Sequence, residues 1–416
     1  MEFQGAMVAP RRVTHHAVLS VLGGFLALFC TVGYLNAFGV FQQHYTSSIL
    51  QDKTQSDISW IGSVTIFLLY LFAPITGILV DRVGPRWLLV GGSLGTLLSV
   101  FMTSLCMQYY QFLLAQGVLQ GISMSFLTWP PMAVVARSLP THRGLALGIV
   151  VGGSSVGGVV WAVMLARLLD YNSLSFGWVM RIVGFIMLSI FAIVCLTVRE
   201  PRQHMPTPTP KNSSPNSTGS ESEFSTQDSP PIATKEGVSK SDVFALIKNP
   251  VFICLTGGLA IGNLGLFIPF FFISSYATKL GIDSQTSFYL ISIINGASLI
   301  GRVGPGYLGD RFGHYNICLL AVFSSGITAF CLTAAQSLGG LIAISAVYGF
   351  TSGGACVARI AGIRMQGTAM GMFMGFLAPT YGYLSVSLFT GATLVGGSVL
   401  VATARLLLNR IVLSPV

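Results

Sequence analysis

Long apolar runs separated by short polar breaks follow one another along the chain. A helix needs about 20 apolar residues to cross the hydrocarbon core of a bilayer. The first set of runs lies at about 17–41, 58–80, 87–107, 111–136, 144–168 and 178–198. The second set lies at about 250–274, 284–308, 315–335, 338–358, 366–383 and 385–407. The pattern predicts an all-α membrane protein of twelve spans, six before and six after a polar stretch.

The last two predicted spans are unusually tight. Between Arg359 and Leu407 the chain must supply a turn, two crossings and a loop, and the predicted eleventh span contains Pro379. We therefore expect either two short, abruptly joined helices or a stretch that is missing relative to related chains.

The polar stretch between the two sets is rich in Pro, Ser and Thr and poor in large apolar residues. Such a composition is typical of disorder. We predict a helical bundle over 17–198, a linker over 199–249 and a second bundle over 250–408. Tails of 1–16 and 409–416 flank the two bundles.

The composition excludes a surface that faces water on all sides. Charged residues make up 8% of the chain and the mean hydropathy is +0.74, whereas soluble domains carry about 25% charged residues. The net charge of +9 would suit nucleic acid, but the positions of the basic residues favour membrane orientation instead. Of the 22 Lys and Arg residues, 17 fall on one side of the predicted membrane. Lys53, Arg167, Arg181 and Lys279 fall on the other side, and Arg302 lies inside a span. This bias predicts that the linker and both termini are cytoplasmic and that the partner is a lipid bilayer, most simply the plasma membrane.

A short motif occurs twice, at the end of the second span of each half. Residues 77–84 and 306–313 share the pattern G-x-x-x-D-R-x-G. Asp81 and Asp310 can accept hydrogen bonds from the N-terminus of a neighbouring helix, and the basic residues can hold the opposite half. We expect a conformational latch formed by Gly77, Asp81, Arg82, Gly84 and Arg86 with Gly306, Asp310, Arg311 and Gly313. A plain positively charged loop is the alternative.

Residues 77–86 resemble the signature loop of the major facilitator superfamily, and other segments resemble its fungal monocarboxylate-transporter-like branch. Those segments are 36–42, 58–63, 143–148, 268–270 with 276–277, and 295–306. The resemblance implies two pseudo-symmetric six-helix bundles that transport a small organic molecule by alternating access. Lactate-type animal members carry a lysine at the position that we align with Val40 and an aspartate at the position of Ser298. The chain lacks both residues, which weakens a lactate-type expectation.

Arg302 is the sharpest candidate for substrate binding. A charge inside a span usually faces the interior or a cavity, where it could pair with an acidic substrate. Alternatively, its side chain extends to the membrane surface or joins the latch. Further candidates for the cavity lining are polar or amphipathic side chains within spans: Tyr34, Asn36, Trp129, Tyr276 and Asn295. Small residues at four-residue spacing, including Gly148, Gly152, Gly157, Gly367 and Gly371, predict close helix packing.

The functional hypothesis is a transporter of a small, acidic organic molecule, with efflux of a fungal secondary metabolite as its specific form. The alternatives are an uptake permease for a monocarboxylate or vitamin, and a transporter-derived sensor that moves nothing. We expect a monomer without cofactor or metal and without nucleic-acid binding. We also expect no enzyme activity, because no nucleophile–base pair or metal-ligand set occurs in the sequence.

Overall fold

The computed structural model describes residues 15–139, 142–170, 174–199, 250–266, 268–362 and 378–408, and these residues form helices and no strand. The first half contains α1 (His15–Cys30), α2 (Val32–Asn36), α3 (Phe38–His44), α4 (Gln55–Leu71), α5 (Ala73–Val83), α6 (Pro85–Thr103), α7 (Tyr109–Phe112), α8 (Gln120–Ser138), α9 (Arg143–Asp170) and α10 (Phe176–Thr197). The second half contains α11 (Pro250–Leu266), α12 (Ile268–Lys279), α13 (Ser284–Phe312), α14 (His314–Phe330), α15 (Leu338–Gly362) and α16 (Ala378–Leu408).

Within the described residues, seven helical stretches are long and apolar enough to cross a membrane. The pair Ser56–Leu71 and Ala73–Val83, bent by 43°, would be an eighth. Leucine, isoleucine and valine side chains stay exposed on the outer faces of these helices, as at Leu94 and Leu320, where a lipid tail would cover them. The prediction of an all-α membrane protein is confirmed.

The first span is continuous over His15–Ile49 but irregular in the middle. Its backbone departs from regular α-helix at Thr31, between α1 and α2, and at Ala37, between α2 and α3, and it ends in π-helical residues Tyr45–Ile49. The Thr31 hydroxyl donates to the Ala27 carbonyl at 2.8 Å. The short helix α2 therefore lies between two distorted turns in the middle of the span.

The junction predicted between the last two spans, near residue 384, does not exist. Helix α16 runs without interruption from Ala378 to Leu408. Pro379 is its second residue, where a missing amide hydrogen costs no helical hydrogen bond. The proline therefore lies at the start of a helix and not in the middle of a span. Residues 363–377 lie outside the described residues, and with them most of the predicted eleventh span, including Gly367 and Gly371.

The two halves meet along α9 and α13, which run antiparallel and in contact over most of their length. At one end Gly144 meets Asp310, and at the other end Arg167 meets Tyr289. We call the first the motif end, because it carries the repeated G-x-x-x-D-R-x-G motif, and the second the far end. Glycines of α9 permit the close approach: a Cβ atom at Gly148 would lie 2.7 Å from the Arg302 carbonyl oxygen.

Helix α9 also packs tightly against the first span of its own half. A Cβ atom at Gly153 would collide with the Phe25 carbonyl oxygen, and one at Gly33 would lie 2.7 Å from the Cα atom of Gly157. A Cβ atom at Gly152 would lie 3.0 Å from the Leu299 side chain of α13. Helix α9 is thus held between α1–α2 on one side and α13 on the other, with small residues at both contacts.

Candidate substrate site and latch

Both copies of the repeated motif end in the same turn. Gly84 has a φ angle of 88° and Gly313 a φ angle of 89°, a left-handed conformation that residues with a Cβ rarely adopt. Pro85 and His314 then begin α6 and α14. The glycine at the end of each copy is therefore required by the turn, and the two turns are equivalent in the two halves.

The second copy joins the two halves. The Asp310 carboxylate accepts hydrogen bonds from the backbone amides of Gly144, at 2.8 Å, and Leu145, at 2.9 Å. These amides belong to the first turn of α9, where a helix has no carbonyl partners of its own and a positive partial charge. The carboxylate of one half therefore caps a helix of the other half at the motif end.

The first copy makes a different contact. The Asp81 carboxylate accepts a hydrogen bond of 2.5 Å from Arg137 Nη2, at the end of α8 in the same half. The two side chains are 49% and 37% exposed, so solvent screens the pair and its contribution is about 0–1 kcal/mol. This contact braces α5 against α8 and does not link the halves.

The other motif residues lie around these two carboxylates. Arg82 and Arg86 are exposed, and the Arg311 guanidinium lies 5.8 Å from the centre of the Phe312 ring. Gly306 is buried. No described atom lies within 4 Å of a Cβ built on Gly77, so close packing at Gly77 is not seen among the described residues and stays a prediction.

Arg302 lies between the halves and not at the membrane surface. Its side chain is 2% exposed, and Nη1 donates to the Val151 carbonyl at 2.8 Å and to the Ser154 hydroxyl. Both acceptors are on α9, about two to three turns inside the contact made by Asp310. The guanidinium thus crosses from the second half to the backbone of the first.

Two asparagines make a second crossing next to it. Asn36 Nδ2 donates to Asn295 Oδ1 at 3.1 Å and to the Ser154 carbonyl at 3.3 Å, while Asn295 Nδ2 donates to the Ile291 carbonyl at 3.0 Å. Asn36 and Asn295 are 1% and 0% exposed. Together Asn36, Ser154, Asn295 and Arg302 form one hydrogen-bonded group, which we call the midspan cluster.

Ser154 is the member of the midspan cluster that the sequence analysis missed. Its carbonyl accepts a hydrogen bond from Asn36 Nδ2. Its hydroxyl accepts a hydrogen bond from Arg302 and donates one to the Val151 carbonyl at 2.9 Å. The only signal in the sequence was two polar residues, Ser154 and Ser155, inside a glycine-rich stripe. Serine is common in such stripes as a packing residue, so the signal was weak.

The remaining predicted cavity residues have other partners. The Tyr34 ring packs on Phe41 at 5.3 Å and on Trp161 at 6.0 Å, within the first half. Tyr276 donates to the carbonyls of Thr333, at 3.3 Å, and Ala335, at 3.4 Å. These two bonds tie the end of α12 to the loop after α14, away from the midspan cluster along the chain.

Trp129 supports the bend of the second span. Its Nε1 donates to the Leu69 carbonyl at 3.1 Å, and its ring lies 5.7 Å from the Tyr70 ring. The helix bends three residues after Leu69, at Phe72, and Pro74 is the second residue of the helix that follows. The indole therefore satisfies a carbonyl at the kink, and its role as a cavity residue stays a prediction.

A bundle of membrane helices whose halves meet through a buried polar cluster has the architecture of a secondary transporter. The sequence profile of the Major Facilitator Superfamily matches residues 20–390. The chain belongs to this family and is a multi-pass membrane transporter.

Curated relatives match nearly the whole chain. An MFS-type transporter of Aspergillus fumigatus is 50% identical over 419 residues, which cover 96% of this chain and 94% of the relative. The agnestins efflux protein of Paecilomyces divaricatus is 41% identical, over 94% of this chain and 88% of the relative. The aspyridones efflux protein of Emericella nidulans is 34% identical, over 94% of this chain and 78% of the relative.

Proposed function

We propose that this transporter exports a small acidic organic metabolite across the plasma membrane by alternating access of its two halves. The observation that carries the proposal is the position of Arg302. Its guanidinium is buried between the halves and donates to neutral oxygens of Val151 and Ser154. An intramembrane cation at the contact between two repeats is the position expected for a substrate-binding group.

A carboxylate or enolate is a stronger acceptor for a guanidinium than a carbonyl or a hydroxyl. In a buried, low-dielectric site the attraction between opposite charges is also larger than in water. An anionic substrate that enters between α9 and α13 would therefore replace Val151 and Ser154 as partners of Arg302. The substrate would then compete with a contact that holds the halves together, which couples binding to their movement.

Export is favoured over uptake by the relatives. Two of them are named as efflux proteins, for agnestins and for aspyridones, and both cover 94% of this chain. Membership in the monocarboxylate-transporter-like branch, suggested by segments such as 36–42 and 295–306, is part of the same proposal. Uptake of a monocarboxylate or vitamin remains the second candidate.

The proposal includes an orientation in which the motif end faces the cytoplasm. It is supported by the basic residues Arg82, Arg86, Arg137 and Arg143 near this end, which the positive-inside rule expects on the cytoplasmic side, and the Asp310 contact lies at the same end. In this orientation Asp310 closes the cytoplasmic face, and it must leave the first turn of α9 before a substrate can enter from the cytoplasm.

The test uses sealed plasma-membrane vesicles from yeast that express the chain. Everted and right-side-out vesicles are incubated with acidic, neutral and basic fractions of a fungal culture extract, and the contents are identified by mass spectrometry. Accumulation of acidic compounds in everted vesicles alone supports export. Accumulation in right-side-out vesicles alone supports uptake, and accumulation in neither supports a sensor that moves nothing.

A further inference from the structure

Asn36 carries an acceptor without a donor at the contact between the halves. Both hydrogens of its Nδ2 are used, one by Asn295 Oδ1 and one by the Ser154 carbonyl. Its Oδ1 is buried and has no hydrogen-bond partner. A buried oxygen in this state is less stable than one that accepts a hydrogen bond, so a group that brings a donor would complete the site.

The orientation of this amide follows from a chain of hydrogen bonds. Asn295 Nδ2 donates to the Ile291 carbonyl at 3.0 Å, so Asn295 presents its Oδ1 to Asn36. Asn36 must then offer Nδ2 to Asn295, and the same Nδ2 faces the Ser154 carbonyl. A rotation of the Asn36 amide would bring its oxygen against two other oxygens. The open group is therefore an acceptor, and only a donor can satisfy it.

The backbone beside Asn36 is distorted, which is a second observation at the same place. Ala37, which follows Asn36, has φ −86° and ψ 3° and donates to the Tyr34 carbonyl in a tighter turn than that of an α-helix. In transporters, irregular helix backbone at mid-membrane is found at substrate sites. The Tyr34 hydroxyl on the same helix and the Ser298 hydroxyl, one turn from Asn295, are likewise buried without a hydrogen-bond partner.

We infer that Asn36 Oδ1 is a specificity-determining acceptor, which selects substrates that present an O–H or N–H donor beside their acidic group. This inference rests on the proposed function, since Arg302 would hold the acidic group. The substrate class is then a hydroxylated carboxylic acid or an enolic heterocycle with a ring N–H. The alternative is that a bound water donates to Asn36 Oδ1. In that case the protein would not distinguish substrates with a donor from substrates without one.

The test measures binding of matched pairs to the purified full chain in detergent by the shift of its thermal unfolding. One pair is 3-hydroxybenzoate with 3-methoxybenzoate, and the other is 4-hydroxy-2-pyridone with its N-methyl derivative. Loss of one hydrogen bond to a buried acceptor weakens binding about tenfold. The donor member of each pair is expected to bind roughly tenfold more tightly than the methylated member, and Asn36→Leu removes this difference.

Two further variants separate recognition from folding. Ser20→Ala is the matched control, because this buried hydroxyl of the same span donates to the Arg199 carbonyl, away from the midspan cluster, and it keeps the difference between pair members. Asn295→Leu removes one of the two acceptors that fix the Asn36 amide and leaves only the Ser154 carbonyl. It therefore reduces the difference, and it does so even if Asn36→Leu does not fold.

Each other outcome decides against the inference. If the wild-type chain binds both members of each pair equally, or if Asn36→Leu or Asn295→Leu keeps the full difference, Asn36 does not read the donor. The proposed function is tested separately by Arg302→Lys. If this variant no longer binds the four compounds, Arg302 still recognises the acidic group, and only the role of Asn36 is wrong. Binding of none of the four compounds overturns the proposed ligand class together with the role of Asn36.

Discussion

The Asp310 carboxylate of the second half accepts a hydrogen bond of 2.8 Å from the Gly144 amide of the first half. Its counterpart in the repeat, Asp81, is bonded to Arg137 within its own half. Two copies of one motif thus make different contacts. One closes the contact between the halves and the other braces a single half.

This difference leads to a prediction for isosteric substitutions. Asp310→Asn removes the charge at the N-terminus of α9, an interaction of about 0.3–2 kcal/mol, so the motif end should open more often. Spin labels at Trp87→Cys and Phe312→Cys, one in each half, report the separation. We expect a longer mean distance in Asp310→Asn and the wild-type distance in Asp81→Asn. Equal effects of the two variants would contradict the separate roles.

Close packing between α9 and α1 gives a second prediction. A methyl group at Gly153 would collide with the Phe25 carbonyl, and overpacking of this kind costs about 1–3 kcal/mol. Gly153→Ala should lower the unfolding temperature of the purified protein. Gly91→Ala is the control, because no described atom lies within 4 Å of a Cβ there. A stable Gly153→Ala variant with wild-type behaviour would show that the helices are less closely packed than described.

The far end has its own contact between the halves. Arg167 Nη2 donates to the Tyr289 hydroxyl at 3.0 Å, and both side chains are exposed. Tyr289→Phe should change the unfolding free energy by less than about 1 kcal/mol, because water competes for the bond. It should nevertheless broaden distances measured by spin labels at the far end. Tyr307→Phe, at an exposed tyrosine of the same helix, is the control. If it broadens the distances equally, the Arg167–Tyr289 bond does not hold the far end together.

The distribution of basic residues predicts the topology. Affinity tags at both ends should be protected from protease in sealed right-side-out vesicles, and the sequon at Asn212 should remain unmodified. Cleavage of either tag from outside, or a glycan on Asn212, would reverse the orientation proposed for the motif end.

Much of the architecture could be predicted from local patterns. The repeated motif located two equivalent turns, because only glycine suits the backbone at Gly84 and Gly313. An arginine inside an apolar run pointed to a buried contact, and Arg302 is buried. These features depend on single residues whose physical requirements are strict.

Other features depended on tertiary contacts that the sequence does not reveal. The different partners of Asp81 and Asp310 arise from which helix ends lie beside them, and the shared pattern of the two motifs does not reveal them. Ser154 looked like a packing residue, yet three of its hydrogen bonds lie at the contact between the halves. Pro379 was assigned to the predicted eleventh span, at about 366–383, although it lies in the first turn of α16, where proline is well tolerated.

Transport by purified protein in liposomes tests the central claim, that Arg302 binds the acidic group of the substrate. The substrate is an acid that accumulates in everted vesicles, and Arg302→Lys and Arg302→Ala are compared with wild type at equal insertion. Lysine lacks the planar, two-pronged donor of arginine, so both variants should lose most transport. Arg181→Lys, in a cation–π contact with Trp178 of the first half, should transport normally. Normal apparent affinity in both Arg302 variants would show that Arg302 only joins the halves, and would contradict the account.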